Sequence, residues 1–139
     1  MKFVVTSGVI VTLLFATSAL NAQEQRGEKL YLNCKVTRTW DEKTNEISPT
    51  SGVQGLIVTI ATDGNLRIAS DKIAAPYIGT ATEVSLYAAA EYKLDSTGTT
   101  VRDWIEISRL TGEYKNGFSI NAMAGLVHFG ECSPSTRKF

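Results

Sequence analysis

Alternation of apolar and polar residues is the strongest constraint that this sequence places on its fold. The first clear example spans residues 30–37, where every second side chain is apolar; the apolar set is Leu30, Leu32, Cys34 and Val36. A period of two indicates a β-strand with one buried face, because successive side chains point to opposite sides of a sheet. The pattern predicts a first strand with Cys34 on its inner face.

Turn residues after the next apolar run predict a hairpin. A three-residue loop with Gly64 in the left-handed conformation would place Ile60 opposite Leu66. A two-residue loop at Asp63-Gly64 would instead place Ile60 opposite Arg67. The three-residue loop is preferred because it gives the hairpin one continuous apolar face.

Two further reversals are predicted later in the chain. Gly112 marks the first reversal, within residues 109–114. Asn116-Gly117 marks the second, a three-residue hairpin loop that sets Tyr114 against Phe118. Both segments carry residues that tight turns favour.

Two segments lack a strand period and are predicted as loops. The polar run over residues 41–46, followed by Pro49 and Gly52, is typical of a solvated connection. Residues 71–80 form the least periodic stretch of the chain. Tyr77 is expected to cover an edge of the core from this second loop.

Residues 82–94 fit two structures. Thr82 could cap a helix, and the three alanines at 88–90 favour one. Against a helix, apolar and small residues alternate cleanly with the others from Leu86 to Leu94. A strand is the preferred prediction and a helix the alternative.

The strand predicted over residues 100–110 carries two residues of interest. Trp104 alternates out of phase with Ile105 and so points outward, either shielded by its neighbours or stacked on a ligand. Shielding by neighbours is preferred. Asp103 shares the face of Ile105. It lies either where this face reaches water, which is preferred, or inside a cavity as a buried polar anchor.

The last strand contains a conflict of faces. In an unbroken strand, Phe129 and Cys132 point to opposite sides. A bulge at Gly130 would resolve the conflict, because glycine within a strand often marks such a site. This bulge would turn Val127, Phe129 and Cys132 toward the core and His128 outward. A regular ladder through Gly130 would place His128 on the inner face.

The first residues are typical of a secretory signal peptide. Lys2 precedes an apolar run, and small residues allow cleavage after Ala22, with Ala19 as the alternative. A retained anchor is the less favoured interpretation, since the apolar run is short for a bilayer span. The sequence predicts a signal peptide, residues 1–22, and an exported domain, residues 23–139, that is periplasmic or secreted and has no stable membrane span after cleavage.

The two cysteines, Cys34 and Cys132, both lie in the predicted exported domain. An even pair in an oxidising compartment predicts a structural disulfide. Metal binding or thiol catalysis would need partners nearby, yet the chain has no Cys-x-x-Cys motif and His128 is its one histidine. We therefore predict no metal site and no cofactor.

Charge and motif composition do not support nucleic-acid binding or catalysis. Cleavage would remove one of the 14 basic residues and none of the 14 acidic ones, which leaves no basic excess for binding phosphates. A catalytic triad could use only His128, and no Gly-x-Ser-x-Gly motif is present. Asp103 and Glu106 face opposite sides of one strand, so the two carboxylates cannot act together as a general acid and a general base. The sequence predicts no catalytic residue.

Three segments of the exported domain, taken together with the signal peptide, carry a resemblance to other proteins. They are Tyr31-Leu32-Asn33-Cys34, the run from Ile105 to Glu113, and Gly130-Glu131-Cys132. Together they resemble small exported bacterial proteins of unknown function. The resemblance covers most of the exported domain and implies a location in the cell envelope or outside the cell. It transfers no catalytic residue.

The fold predicted from these observations is all-β. A single antiparallel meander of about six to eight strands would form a small barrel or sandwich with one disulfide. The predicted role is a non-enzymatic binding or accessory protein for an unknown protein or small ligand of the envelope or exterior. The alternatives are a barrel-type carrier that holds an apolar ligand against Tyr77, Tyr92 and Trp104, and a carboxylate-based hydrolase.

Overall fold

The computed structural model describes residues 27–73, 75–94 and 97–136, so the predicted signal peptide lies outside the described residues. Eight antiparallel strands follow one another around a closed barrel, in which the last strand pairs with the first. The strands are β1 (Glu28–Asp41), β2 (Glu46–Ile60), β3 (Asn65–Ser70), β4 (Tyr77–Ala81), β5 (Ser85–Leu94), β6 (Thr99–Ser108), β7 (Glu113–Ile120) and β8 (Met123–Pro134). The all-β meander prediction is confirmed, and of its two forms the chain adopts the barrel.

The two ends of the barrel differ. The connections that follow β1, β3, β5 and β7 lie at one end, which we call the mouth. The chain enters β1 and leaves β8 at the other end, which we call the base. No helix in the described part of the chain is long and apolar enough to cross a membrane.

Alternating inner side chains fill the barrel with an apolar core. Leu56, Val58, Ile68 and Ile105 are fully buried in it. Burial of each such side chain stabilises the fold by about 1.5–3 kcal/mol relative to exposure. Since an eight-stranded barrel is just wide enough for its side chains, this core needs no second layer.

The Cys34–Cys132 disulfide is present and joins the first strand to the last. The two cysteines are direct cross-strand partners, and Cys34 is fully buried on the inner face as its alternation predicts. A bond across this pair fastens the strands whose pairing closes the barrel.

The hairpin prediction at Gly64 is confirmed. Gly64 has a φ of 85°, and Ile60 pairs with Leu66 across a three-residue loop. The preferred interpretation of residues 82–94 is also confirmed, because β5 runs over Ser85–Leu94. The predicted reversal within residues 109–114 connects β6 to β7.

The predicted bulge at Gly130 is wrong. β8 pairs regularly with β7 through Gly130, and the extra residue lies on β1, between Val36 and Arg38. His128 therefore faces inward, and Phe129 faces outward beneath the Arg38 guanidinium, 4.9 Å from the ring centre.

A different constraint explains the glycine at position 130. A Cβ there would lie 2.7 Å from the carbonyl carbon of Lys35 and closer still to the carbonyl oxygen. The two backbones approach each other too closely for any side chain. Glycine is needed for close packing and not for the bulge itself.

The predicted turn at Asn116-Gly117 is also wrong. Both residues lie inside β7, and the reversal occurs at Asn121 and Ala122, whose φ values are 49° and 60°. Position 117 needs a glycine because the indole of Trp104 lies over it, and a Cβ would come within 2.5 Å of the indole nitrogen.

Both predicted loops are shorter than the sequence suggested. The turn after β1 covers only residues 42–45, and β2 already includes Pro49 and Gly52. Proline is tolerated there because the pairing of β2 with β3 begins only at Leu56, so this part of β2 is an edge. Tyr77 begins β4 and is fully buried in the core, not at its edge.

Candidate ligand site at the barrel mouth

A concavity of about 630 Å³ opens at the mouth, between the ends of β1, β7 and β8. Its apolar lining comes from Phe118, Ile120, Met123 and Leu126. Phe118 and Leu126 are cross-strand partners on the inner face, so the barrel wall itself positions them. Met123 is 64% exposed, which leaves an apolar rim open to solvent. We call this concavity the mouth pocket.

Hydrogen bonds hold the polar part of the rim in place. The Asp41 carboxylate accepts hydrogen bonds from the backbone N–H groups of Lys43 and Thr44, at 2.8 and 3.2 Å. Glu42 accepts from the Gly125 N–H at 3.0 Å, and its own N–H donates to the Gly125 carbonyl at 3.1 Å. The turn after β1 is thereby docked onto β8 beside the pocket.

A second concavity of about 340 Å³ lies at the same end of the barrel. It is lined by Lys72, Ile73 and Ala75 from the β3–β4 connection and by Tyr92 from β5. The mouth therefore presents apolar surface on two sides of the barrel, with Lys72 as a cationic side chain on one of them.

A group of buried polar side chains adjoins the mouth pocket, because Asp103 pairs directly with Phe118. Asp103 is only 6% exposed, and its carboxylate accepts a hydrogen bond of 2.6 Å from the Asn116 side chain. Asn116 also donates to the Trp104 carbonyl at 2.8 Å. Burial raises the pKa of Asp103, while hydrogen-bonding interactions with Asn116 and Tyr77 and the charge of His128 oppose the rise. The preferred prediction, that Asp103 lies where its strand face reaches water, is wrong, because Asp103 is buried.

Two tyrosines of this polar group differ in how their hydroxyls are satisfied. The Tyr114 hydroxyl donates to Gln54, whose amide donates to Ser70 at 2.7 Å. The buried Tyr77 hydroxyl makes no hydrogen bond of ordinary geometry with the described residues but interacts with the Asp103 carboxylate as a weak donor. Burial raises the pKa of Tyr77, and the charge of Asp103 and this hydrogen-bonding interaction raise it further.

His128 points into the barrel and is anchored by hydroxyls. Its Nδ1 lies 2.7 Å from the Thr39 hydroxyl, which in turn lies 2.8 Å from that of Thr50. Burial lowers the pKa of His128, Asp103 opposes this, and Lys72 adds to the lowering. The imidazole is therefore largely neutral at pH 7 and can both donate and accept a hydrogen bond.

The structure separates residues that the carrier hypothesis grouped together. Tyr77 and Tyr92 lie on the inner face, whereas Trp104 lies on the outer face, so one small ligand cannot touch all three. Asp103 and Glu106 lie on opposite faces of β6, as alternation predicts. Among the described residues no group of three or more His, Cys, Asp or Glu side chains is arranged to hold a metal ion.

Sequence reasoning missed the lining of the mouth pocket. Phe118 was assigned to a hairpin, while Ile120 and Met123 flank a turn at Asn121 that the Asn116-Gly117 signal obscured. The available signal was the period of two that places Tyr114, Phe118 and Ile120 on one face. This period is unbroken at Gly117, which argues for a continuous strand and against a turn there. No protein-family model, curated protein or solved structure matches this chain.

The buried carboxylate gives a prediction about pH. A folded-state pKa above the ordinary value of 3.8 means that the contribution of Asp103 to stability is full below that value and is lost as the pH rises. Asp103→Asn, which keeps an acceptor for Asn116, should therefore gain stability relative to the wild type between acid and neutral pH. Loss of the Asp103 charge also lowers the pKa of His128 further, which acts in the same direction.

Urea unfolding of both proteins across this pH range checks the prediction. Glu106→Gln is the matched control, because Glu106 lies on the outer face with its side chain 45% exposed. If Asp103→Asn and the wild type keep a constant difference in unfolding free energy from acid to neutral pH, Asp103 is not the buried titrating group.

Proposed function

We propose that this chain is an exported, non-enzymatic binding protein that holds a small, mainly apolar molecule in the mouth pocket. One observation carries the proposal: inward-facing apolar side chains at the mouth are left uncovered around a concavity large enough for a small molecule. Ligand sites are commonly concave and apolar, with few polar groups, and the mouths of β-barrels are frequent locations for them.

The filled core limits how deep such a ligand can go. Leu56, Leu66 and Ile105 occupy the barrel interior, so the ligand's apolar part lies against Phe118 and Leu126 near the rim. Asp41 and Lys43 supply charged groups at the edge of the pocket for a polar end of the ligand. The preferred ligand is thus a short amphiphilic molecule with its polar end toward solvent.

Export and the absence of catalysis belong to the same proposal. The signal-peptide pattern supports a periplasmic or extracellular location, and the disulfide is compatible with an oxidising compartment. The non-enzymatic role is supported by the partners of the inner polar side chains: Asp103 binds Asn116, and His128 binds Thr39.

Binding of the uncharged fluorophore N-phenylnaphthylamine tests the proposed pocket. Met123→Asp should weaken binding by about tenfold or more, because the charge would have to be desolvated against the apolar probe. The measurement is a fluorescence titration of the mature, oxidised protein.

Leu110→Asp is the matched control, since Leu110 is 76% exposed in the turn between β6 and β7 at the base. This variant should bind the probe as the wild type does. A wild-type protein that does not bind the probe, or equal binding by Met123→Asp, would contradict the proposal.

A further inference from the structure

The outer surface of the barrel carries a row of apolar residues that the mouth pocket does not use. Each member is the direct cross-strand partner of the next, and the row crosses the barrel from β4 to β1 by way of β5, β6, β7 and β8. In that order the members are Ile78, Ala89, Trp104, Gly117, Val127 and Trp40. We call them the outer row. Strand faces that meet water normally carry polar residues, so a row without one indicates a surface that binds another apolar surface.

The exposed part of the outer row lies over β4, β5 and β6. Toward β8 the row is covered by its own members, since the Trp104 indole lies over Gly117 and Val127 is only 4% exposed. On the β4 side Ile78 is 57% exposed. Tyr87 is 41% exposed, and its ring stacks on that of Trp104 with ring centres 6.4 Å apart. Trp104, Tyr87 and Ile78 therefore form one accessible apolar patch.

Opposite charges flank Trp104 along its own strand. Arg102 lies nearer the mouth and Glu106 nearer the base, each about 7 Å from Trp104 along β6. All three side chains point outward, because alternate residues of a strand share a face. Arg102 is exposed and forms no ion pair with the described residues, while Glu106 lies 3.9 Å from the Lys115 ammonium. The outer face of β6 thus presents a cation, an indole and a carboxylate in that order.

We propose that a second copy of this chain packs on this surface, about a two-fold axis that runs along the outer row. Rotation about that axis reverses the strand direction, so Arg102 lies opposite Glu106 of the partner subunit and the two Trp104 side chains meet at the axis. An axis parallel to the strands would instead place arginine against arginine and glutamate against glutamate. Because like charges that face each other are unfavourable, the charges select the first axis. Two-fold symmetry makes each favourable pair occur twice.

A second sheet fits this surface better than a small molecule does. The patch lies on the outside of the barrel, where a small molecule would be covered on one side only. Two sheets that pack face to face lie about 10 Å apart, and their side chains interdigitate in the space between them. Tryptophan and tyrosine at the centre with charged residues around them match the usual composition of protein interfaces. Trp104 is then the centre of the interface, and Arg102 and Glu106 form its polar rim.

Sedimentation equilibrium of the mature, oxidised protein over a range of concentrations tests this proposal. The wild type should form a dimer. Arg102→Glu should weaken dimerisation by about tenfold or more, because each Glu106 then faces a glutamate of the partner subunit. The double variant that combines Arg102→Glu with Glu106→Arg should recover the wild-type dissociation constant to within about threefold, since opposite charges face each other again.

Two controls separate this surface from general charge effects and from the mouth pocket. Lys35→Glu reverses an exposed charge on the outer face of β1, away from the patch, and should dimerise as the wild type does. Arg102→Glu should still bind N-phenylnaphthylamine. The proposal is overturned if the wild type stays monomeric up to about 1 mM. It is also overturned if Arg102→Glu dimerises as tightly as the wild type, or if the double variant does not recover the dimer.

Discussion

Replacement of both cysteines, Cys34→Ala with Cys132→Ala, is expected to lower the free energy of unfolding by about 4 kcal/mol. The disulfide spans 98 positions of sequence and therefore removes the entropy of closing a long loop from the unfolded chain. It also joins β1 to β8, the one strand pair that must meet from opposite ends of the chain. Alanine avoids placing a hydroxyl at the fully buried position 34.

Urea unfolding at neutral pH measures this effect. The wild-type protein should approach the stability of the double variant when a reductant is added, and the double variant should not respond to the reductant. If the oxidised wild type and the double variant unfold at the same urea concentration with the same slope, the disulfide does not stabilise the barrel.

Gly130→Ala is expected to destabilise the fold by about 3 kcal/mol, at the upper end of typical overpacking costs. The added Cβ would collide with the carbonyl group of Lys35 and would lie 3.0 Å from the Cα of Val36. Both obstacles are backbone atoms, so no side-chain rotation can relieve the clash. The strands must move apart next to the β1 bulge, where closure of the barrel depends on their pairing.

Gly52→Ala is the matched control for this substitution. Gly52 also lies in a strand, but a Cβ there would meet nothing within 4 Å. Its effect should stay within about 0.5 kcal/mol, as for ordinary surface changes. Thermal and urea unfolding of the two variants gives the comparison. Equal stability of Gly130→Ala and Gly52→Ala would show that β1 and β8 can separate at no cost.

Local signals in the sequence predicted the parts of the fold that depend on neighbouring residues. Alternation alone placed Cys34 inward and chose a strand over a helix for residues 85–94, although three alanines favour a helix. The register at Gly64 followed from requiring one apolar face on the hairpin. These features depend on residues that are only a few positions apart in the sequence, so they can be predicted without the tertiary structure.

Glycine was the residue that sequence reasoning interpreted least well. Gly117 and Gly130 were both assigned to local backbone features, a turn and a bulge. In the structure each makes room for a group from another strand: the Trp104 indole over Gly117, and the β1 backbone against Gly130. A glycine needed for a close approach looks the same in sequence as one needed for a turn.

The sequence by itself determined an all-β meander, the inner faces of β1 up to Val36 and of β5, and the disulfide, because these follow from a period of two and from the only two cysteines. Closure into a barrel was decided by the tertiary structure, since β8 must pair with β1 from the far end of the chain. The same pairing placed the bulge on β1 and turned His128 inward. One extra residue in a strand moves every side chain beyond it to the opposite face of the sheet. Which residues line the inside of the barrel therefore depends on which strand carries the bulge.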